Sequence, residues 1–211
     1  MGSVSQSLDT ALVTWLGQQH VYFVGSAPTD PDGHINVSPK GARETFRVMD
    51  PTTIAYLDLT GSGVETISHL QDNGRIVVMF CAFEGAPRIV RLHGRGRVVT
   101  SDQPEFNRLL EVFQPSDEAL SVLRSVIVVD VSRVADSCGY VVPRMDFVAE
   151  RAQLFRWGES KRQKVGTDWR REYQREKNQT SIDGLRGLEV GVTPLACAAS
   201  GSCAPPPPSV R

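Results

Sequence analysis

What most restricts the fold of this chain is how closely its strand-like runs follow one another. Residues 20–25, 35–38, 53–59, 75–83, 88–99 and 125–134 are rich in β-branched and aromatic side chains. A parallel sheet needs a crossover of a dozen or more residues between neighbouring strands, usually a helix. Here the helical patterns are too few and the gaps too short for repeated βαβ units. An antiparallel arrangement, mainly β with flanking helices, fits instead, and a small barrel is its simplest form.

The connections agree with this. Residues 27–34 (APTDPDGH) concentrate Pro, Asp and Gly, each a turn former for its own reason, and predict a hairpin. The run 75–83 is nearly all apolar, as for a strand covered on both faces. In 88–99, Val90, Leu92 and Val98 share one face with Gly94 and Gly96, while Arg91, His93, Arg95 and Arg97 share the other.

Helical spacing places Leu8, Leu12, Trp15 and Leu16 on one face near the start, and Phe106, Leu109, Leu110 and Phe113 on another over 104–113. A helix over 64–72 is closed by Asn73-Gly74. Helices are also predicted over 145–157, with Phe147, Leu154 and Phe155 inward, and over the highly charged 167–177. Periodicity fades after Leu188, and 196–211 with its four-proline run reads as a disordered tail. The expectation is one domain over 1–190 and a Pro-rich tail over 191–211, with no internal repeat.

Composition removes several function classes. A net charge of -1 offers no basic field for nucleic acid or acidic membranes. No apolar run approaches the roughly 18 residues that span a bilayer, and the polar start of the chain lacks a signal-peptide layout. A cytosolic protein is expected. The four cysteines are scattered, and Cys197 and Cys203 lack nearby partners for a metal, so reduced thiols and no metal site are expected.

Four stretches in order, HINVSPKG (34–41), TIAYLDLTGSGVETISHLQDNGRIVVMF (53–80), PRIVRLHGRGRVV (87–99) and DSCGYVVP (136–143), resemble the pyridoxamine 5′-phosphate oxidase-like family of split-barrel flavoproteins. The resemblance runs from about residue 10 to residue 190. It implies a six-stranded antiparallel split β-barrel of the FMN-binding type, a homodimer with FMN in clefts between subunits, and redox chemistry on a small-molecule substrate.

Candidate cofactor residues follow from the residues and the resemblance together. Thr60-Gly61-Ser62-Gly63 precedes a helix, where converging backbone N–H groups attract phosphate. The resemblance puts the FMN phosphate there, with Thr60, Ser62 and Thr66 as hydroxyl donors beside Gly61. Ser62-x-x-Glu65 is equally a capping box that needs no ligand, and Glu65 brings negative charge. Lys40 supplies a cation in the resemblance, and Asn36 and Ser38 face the flavin edge or water. Arg91 is a candidate for a phosphate or a flavin carbonyl, whereas a solvated basic face accounts for Arg95 and Arg97. Near the cleft, Tyr140 is a candidate to stack and Cys138 to line the pocket.

The resemblance is incomplete. The basic cluster expected at Val64, Glu65 and Thr66 is missing, and residues 178–188 (NQTSIDGLRGL) replace the final Arg- and Pro-bearing strand. Oxidation of vitamin B6 is therefore not expected, and other redox work is. No side chain stands out as a general base, so no catalytic residue is assigned. The alternatives are a non-catalytic flavin-binding or sensing protein, or a barrel holding a deazaflavin or haem, the latter with His69 or His93 as axial ligand.

Overall fold

Eight strands join in one antiparallel sheet in the computed structural model, which describes residues 2–41 and 43–189. Along the chain run β1 (Ser3–Ser5), α1 (Thr10–Gln18), β2 (Tyr22–Ser26), β3 (Asn36–Lys40), β4 (Phe46–Asp50) and β5 (Thr53–Leu59). There follow α2 (Glu65–Asp72), β6 (Arg75–Cys81), β7 (Ile89–Val99), α3 (Pro104–Phe113), α4 (Asp117–Val122), β8 (Leu123–Ser137), α5 (Gln153–Val165) and α6 (Trp169–Lys177). The strand order is β3-β2-β6-β7-β8-β5-β4, with β1 paired to β8. All six expected strands are present. β1 and β4 are additional, so the sheet has eight strands where six were expected, and its ladder runs open from β3 to β4.

Side chains bring the two halves of the sheet together. Tyr22 of β2 meets Tyr56 of β5 with ring centroids 5.9 Å apart, and Phe80 of β6 meets Phe46 of β4 at 5.1 Å. The concave interior holds the main core, including Val24, Ile54, Tyr56, Val78, Phe80, Leu92 and Ile127. Leu12 and Leu16 of α1 and Ile67 and Leu70 of α2 cover it. A second core lies behind β5 and β8, where Ala55, Leu57, Val126 and Val128 pack on Phe106, Leu109 and Phe113 of α3. Consecutive buried valines in β8 follow from this, since both of its faces are covered.

The convex face of the other half is bare. Register aligns Pro39, Phe23, Met79 and Arg91 in one row and Val37, Gly25, Val77 and His93 in the next. Val37 is 63% exposed, and Phe23, Val77 and Met79 are partly exposed. Among the described residues the apolar run in β6 is thus covered on one face only.

One helix differs from expectation. Residues 138–152 form no helix, and α5 begins at Gln153. Tertiary bonds outcompete the local pattern: Met145 N–H donates to Phe83 O (2.9 Å), Phe147 N–H donates to Glu84 (2.9 Å), and the Phe147 ring stacks on His20 at 3.7 Å. The expected tail over 191–211 lies outside the described residues. No described helix is long and apolar enough to cross a membrane.

At Gly94 β7 shifts register against β8, and a Cβ there would lie 2.1 Å from the Asp130 carbonyl oxygen. Because the obstacle is backbone, Gly94→Ala should lower unfolding stability by about 1–3 kcal/mol. Urea denaturation measures this, and an unchanged midpoint contradicts the close approach.

Candidate functional site

The inner face of β3 presents Asn36, Ser38 and Lys40, because side chains alternate and these three pair with the inward residues Ser26, Val24 and Tyr22 of β2. β5 faces them. Its inward positions read Ile54, Tyr56, Asp58, so a carboxylate ends an apolar series. Asp58 is buried, and Lys40 Nζ lies 3.8 Å from its Oδ1. On its other oxygen, Arg124 Nε donates at 2.7 Å and Ser125 Oγ at 3.1 Å. Burial alone would raise the Asp58 pKa, but the charges of Arg124 and Lys40 and the bonds from Arg124 and Ser125 hold it below the ordinary value. Two cations therefore face one ionised carboxylate.

Arg124 also shapes the loop after β5. Its Nη1 donates to Gly61 O (3.2 Å) and Gly63 O (2.8 Å). From the far end of the chain, Asn178 Nδ2 donates to Gly61 O (2.9 Å) and Ser62 O (3.2 Å). Three successive carbonyls are thus drawn toward the protein. In a trans peptide the N–H of the next residue points opposite to the carbonyl, and no peptide bond is cis among the described residues. The N–H groups of Ser62, Gly63 and Val64 consequently point away from Arg124 and Asn178. They run into the start of α2, whose first N–H groups are free by the geometry of a helix. Among the described residues none of the N–H groups of 62–67 has an acceptor.

The capping box does not form. Val64 is the N-cap of α2 and makes no side-chain cap bond. Glu65 instead folds over Gly63, where a Cβ would lie 2.7 Å from Glu65 Oε2. Thr66 Oγ1 accepts from Asn36 Nδ2 (2.9 Å), which bridges β3 to α2. Asn36 also reaches Ser38 Oγ (3.4 Å) and Ser26 Oγ (3.5 Å), and Ser26 Oγ lies 3.0 Å from Nδ1 of the buried His69. Thr60 Oγ1 and His69 Nε2 are buried without partners among the described residues.

Of the residues singled out from the sequence, Asn36, Ser38, Lys40, Thr60, Gly61, Ser62 and Thr66 gather around this loop. Arg91 does not. It lies on the convex face, in a row with Met79 and Ala135, and donates to Ser137 Oγ at 3.3 Å. Arg95 and Arg97 share that face, Arg95 donating to Asn73 O and Arg97 paired with Glu105 at 2.7 Å. His93 is there too, with the sheet between it and His69. Sequence reasoning missed Asp58, Arg124, Asn178 and the Ser26–His69 contact. Asp58 carried a signal, an acid at an inward strand position. Asn178 carried none.

A cavity of about 720 Å³ lies apart from the loop, lined by Trp15, His20, Phe83, Arg88, Met145 and Phe147. Arg88 sits 4.8 Å over the Trp15 ring and is paired with Asp136 at 2.5 Å. Tyr140 and Cys138 are exposed. Among the described residues no group of three or more His, Cys, Asp or Glu side chains could hold a metal ion.

The model of the family described as pyridoxamine 5′-phosphate oxidase matches residues 8–138. The pyridoxamine 5′-phosphate oxidase family protein ustO of Aspergillus flavus is 39% identical over 193 residues, 87% of this chain and 76% of that protein. Among solved structures, HupZ of Group A Streptococcus is 21% identical, covers 60% of this chain and 92% of its own, and has a TM-score of 0.47. The FAD binding protein of Mycobacterium smegmatis is 14% identical over 63% of this chain and 97% of its own, with a TM-score of 0.42.

Asp58→Ala would leave Arg124 and Lys40 facing each other without a counter-ion. The expected loss of stability is about 3–5 kcal/mol, the usual effect of removing one partner of a buried pair. Chemical denaturation reads it, and a loss below 1 kcal/mol (about a quarter of that) contradicts the pairing. Burial pushes the His69 pKa below its ordinary 6.5, against the pull of Asp183, Glu65 and Asp72. The stability this contributes is therefore full above about pH 6.5 and is lost as the pH falls toward the lower folded value. His69→Gln should flatten the fall in unfolding free energy over that acid window, and an equal slope in both proteins refutes the assignment.

Proposed function

The chain belongs to the pyridoxamine 5′-phosphate oxidase family, and from that premise we propose that it is an FMN-dependent oxidoreductase acting on a small molecule other than vitamin B6. The observation that carries the proposal is the turned loop, three carbonyls held inward by Arg124 and Asn178 and six successive N–H groups without acceptors among the described residues. Such an array is what a phosphate monoester requires: convergent N–H donors at a helix N-terminus. Thr60, Ser62 and Thr66 add hydroxyls, and Lys40 adds a cation whose charge Asp58 shares with Arg124. Beside it, β3 pairs only with β2 among the described strands, so one backbone edge from Asn36 to Lys40 carries unpaired polar groups for a flat heteroaromatic ring.

The same reading includes a homodimer of split barrels. The rolled sheet, with side-chain contacts joining its two halves, fits a barrel that is not closed by a ladder. The bare convex face, with Val37, Phe23, Val77 and Met79, suits burial against a second copy. Arg91 lies on that face, so it would join the cofactor site through the cleft between subunits. Unpaired Cys81 and Cys138 suit a reducing, cytosolic compartment. Bound FMN supplies the hydride or electron transfer. The chain's own groups bind the phosphate, orient the ring against β3 and exclude water.

The test is direct. Purified protein should be yellow or take up added FMN, one per chain, and the reduced form should turn over an added acceptor. A protein that remains colourless with excess FMN sinks the proposal, and uptake without turnover supports a non-catalytic flavin-binding protein instead. Lys40→Ala should raise the FMN Kd about tenfold or more, the loss expected for one charge-assisted contact. Glu65→Gln should lower it, because it removes the one negative charge folded over the loop.

A further inference from the structure

We propose that Asn178 is the positioning residue of the phosphate cradle: it holds the 61–63 carbonyls away from the ligand and thereby aims the loop N–H groups. The inference rests on the FMN reading above and extends it to a part of the chain that lies beyond the residues matching the family model.

Asn178 follows α6 and is fully buried. Its Nδ2 spans two adjacent carbonyls, Gly61 O and Ser62 O. Arg124 grips Gly61 O and Gly63 O, so among the described residues only Asn178 holds the middle peptide, whose reversal would turn the Gly63 N–H inward. An apolar side chain could fill the same space. Asn178 fills it while leaving Oδ1 buried without a partner among the described residues, an arrangement that packing alone disfavours. The donor is what the position requires.

The backbone of Asn178 is fixed from both sides. Its N–H donates to Gln174 O (2.8 Å), and its carbonyl accepts from Leu188 N–H (2.8 Å) across a short reversal in which Gly187 N–H donates to Gln179 O (2.7 Å). At Gly187 a Cβ would stand 2.1 Å from the Asn178 carbonyl oxygen. Glycine there permits the approach that presents the Asn178 amide to the loop. Asn178 touches no ligand itself and acts only through the loop.

The experiment compares FMN with riboflavin, which has the same ring and no phosphate. In the full-length protein FMN should bind far more tightly than riboflavin. Asn178→Ala should raise the FMN Kd about tenfold, the loss expected when a charge-assisted contact is misaligned, and leave the riboflavin Kd within about twofold. Gly187→Ala should act in the same direction without altering the Asn178 side chain. If FMN and riboflavin weaken together, Asn178 serves stability only and the proposal is wrong. Unchanged FMN affinity in a folded Asn178→Ala protein also overturns it. If the unaltered protein binds no FMN, the functional reading fails, and the clamp is judged separately by NMR of the ligand-free protein. There Asn178→Ala should shift the Ser62 and Gly63 amide resonances, and unshifted resonances refute the clamp.

Discussion

The buried contact between Asp58 and Arg124 ties the interior of the sheet to the loop that would receive a ligand. A carboxylate at an inward strand position is tenable only when paired and hydrogen-bonded. Asp58 meets that demand with Arg124, Ser125 and Lys40. Arg124 in turn directs its Nη1 onto carbonyls of the adjoining loop. The ion pair therefore does more than neutralise charge. It transmits the position of β5 and β8 to the backbone that precedes α2.

Two cores make this placement rigid. α1 and α2 close the concave side and α3 closes the back of β5 and β8, so the strand ends bearing Asp58 and Arg124 are held from both faces. Among the described residues the remaining half of the sheet is packed from one side only. That asymmetry separates a scaffold half, carrying the ion pair, from a half with an edge strand and a partly exposed apolar surface. The two halves meet beside the Gly61–Gly63 loop, at the contacts of Asn36 with Thr66 and of Lys40 with Asp58.

Much of this could be read from residue order alone. The six long strands, the helix after the Thr60–Gly63 loop and the two-faced alternation of β7 all declare themselves in periodicity, because burial of one face is a local pattern. β1 escaped notice since its three residues are all exposed and carry no such pattern. The helix expected over 145–157 failed for the opposite reason: Phe83, Glu84 and His20 supply partners from far along the chain that local spacing cannot anticipate. Seven of the eight candidate ligand residues gather around one loop. Arg91 is excluded from that group by the alternation that made it conspicuous. Asn178 was invisible, since an asparagine after a charged helix looks like any helix end until its partner is known.

The clamp on the loop joins positions 117 residues apart. During synthesis on the ribosome, every strand up to Ser137 can leave the exit tunnel and pair before Asn178 has been translated. The sheet can thus assemble ahead of the clamp on the loop, and a growing chain would pass through a folded stage in which that loop is not yet held. Capture of a phosphorylated cofactor would then belong to the finished polypeptide, and a prematurely terminated product could be well folded and still remain empty.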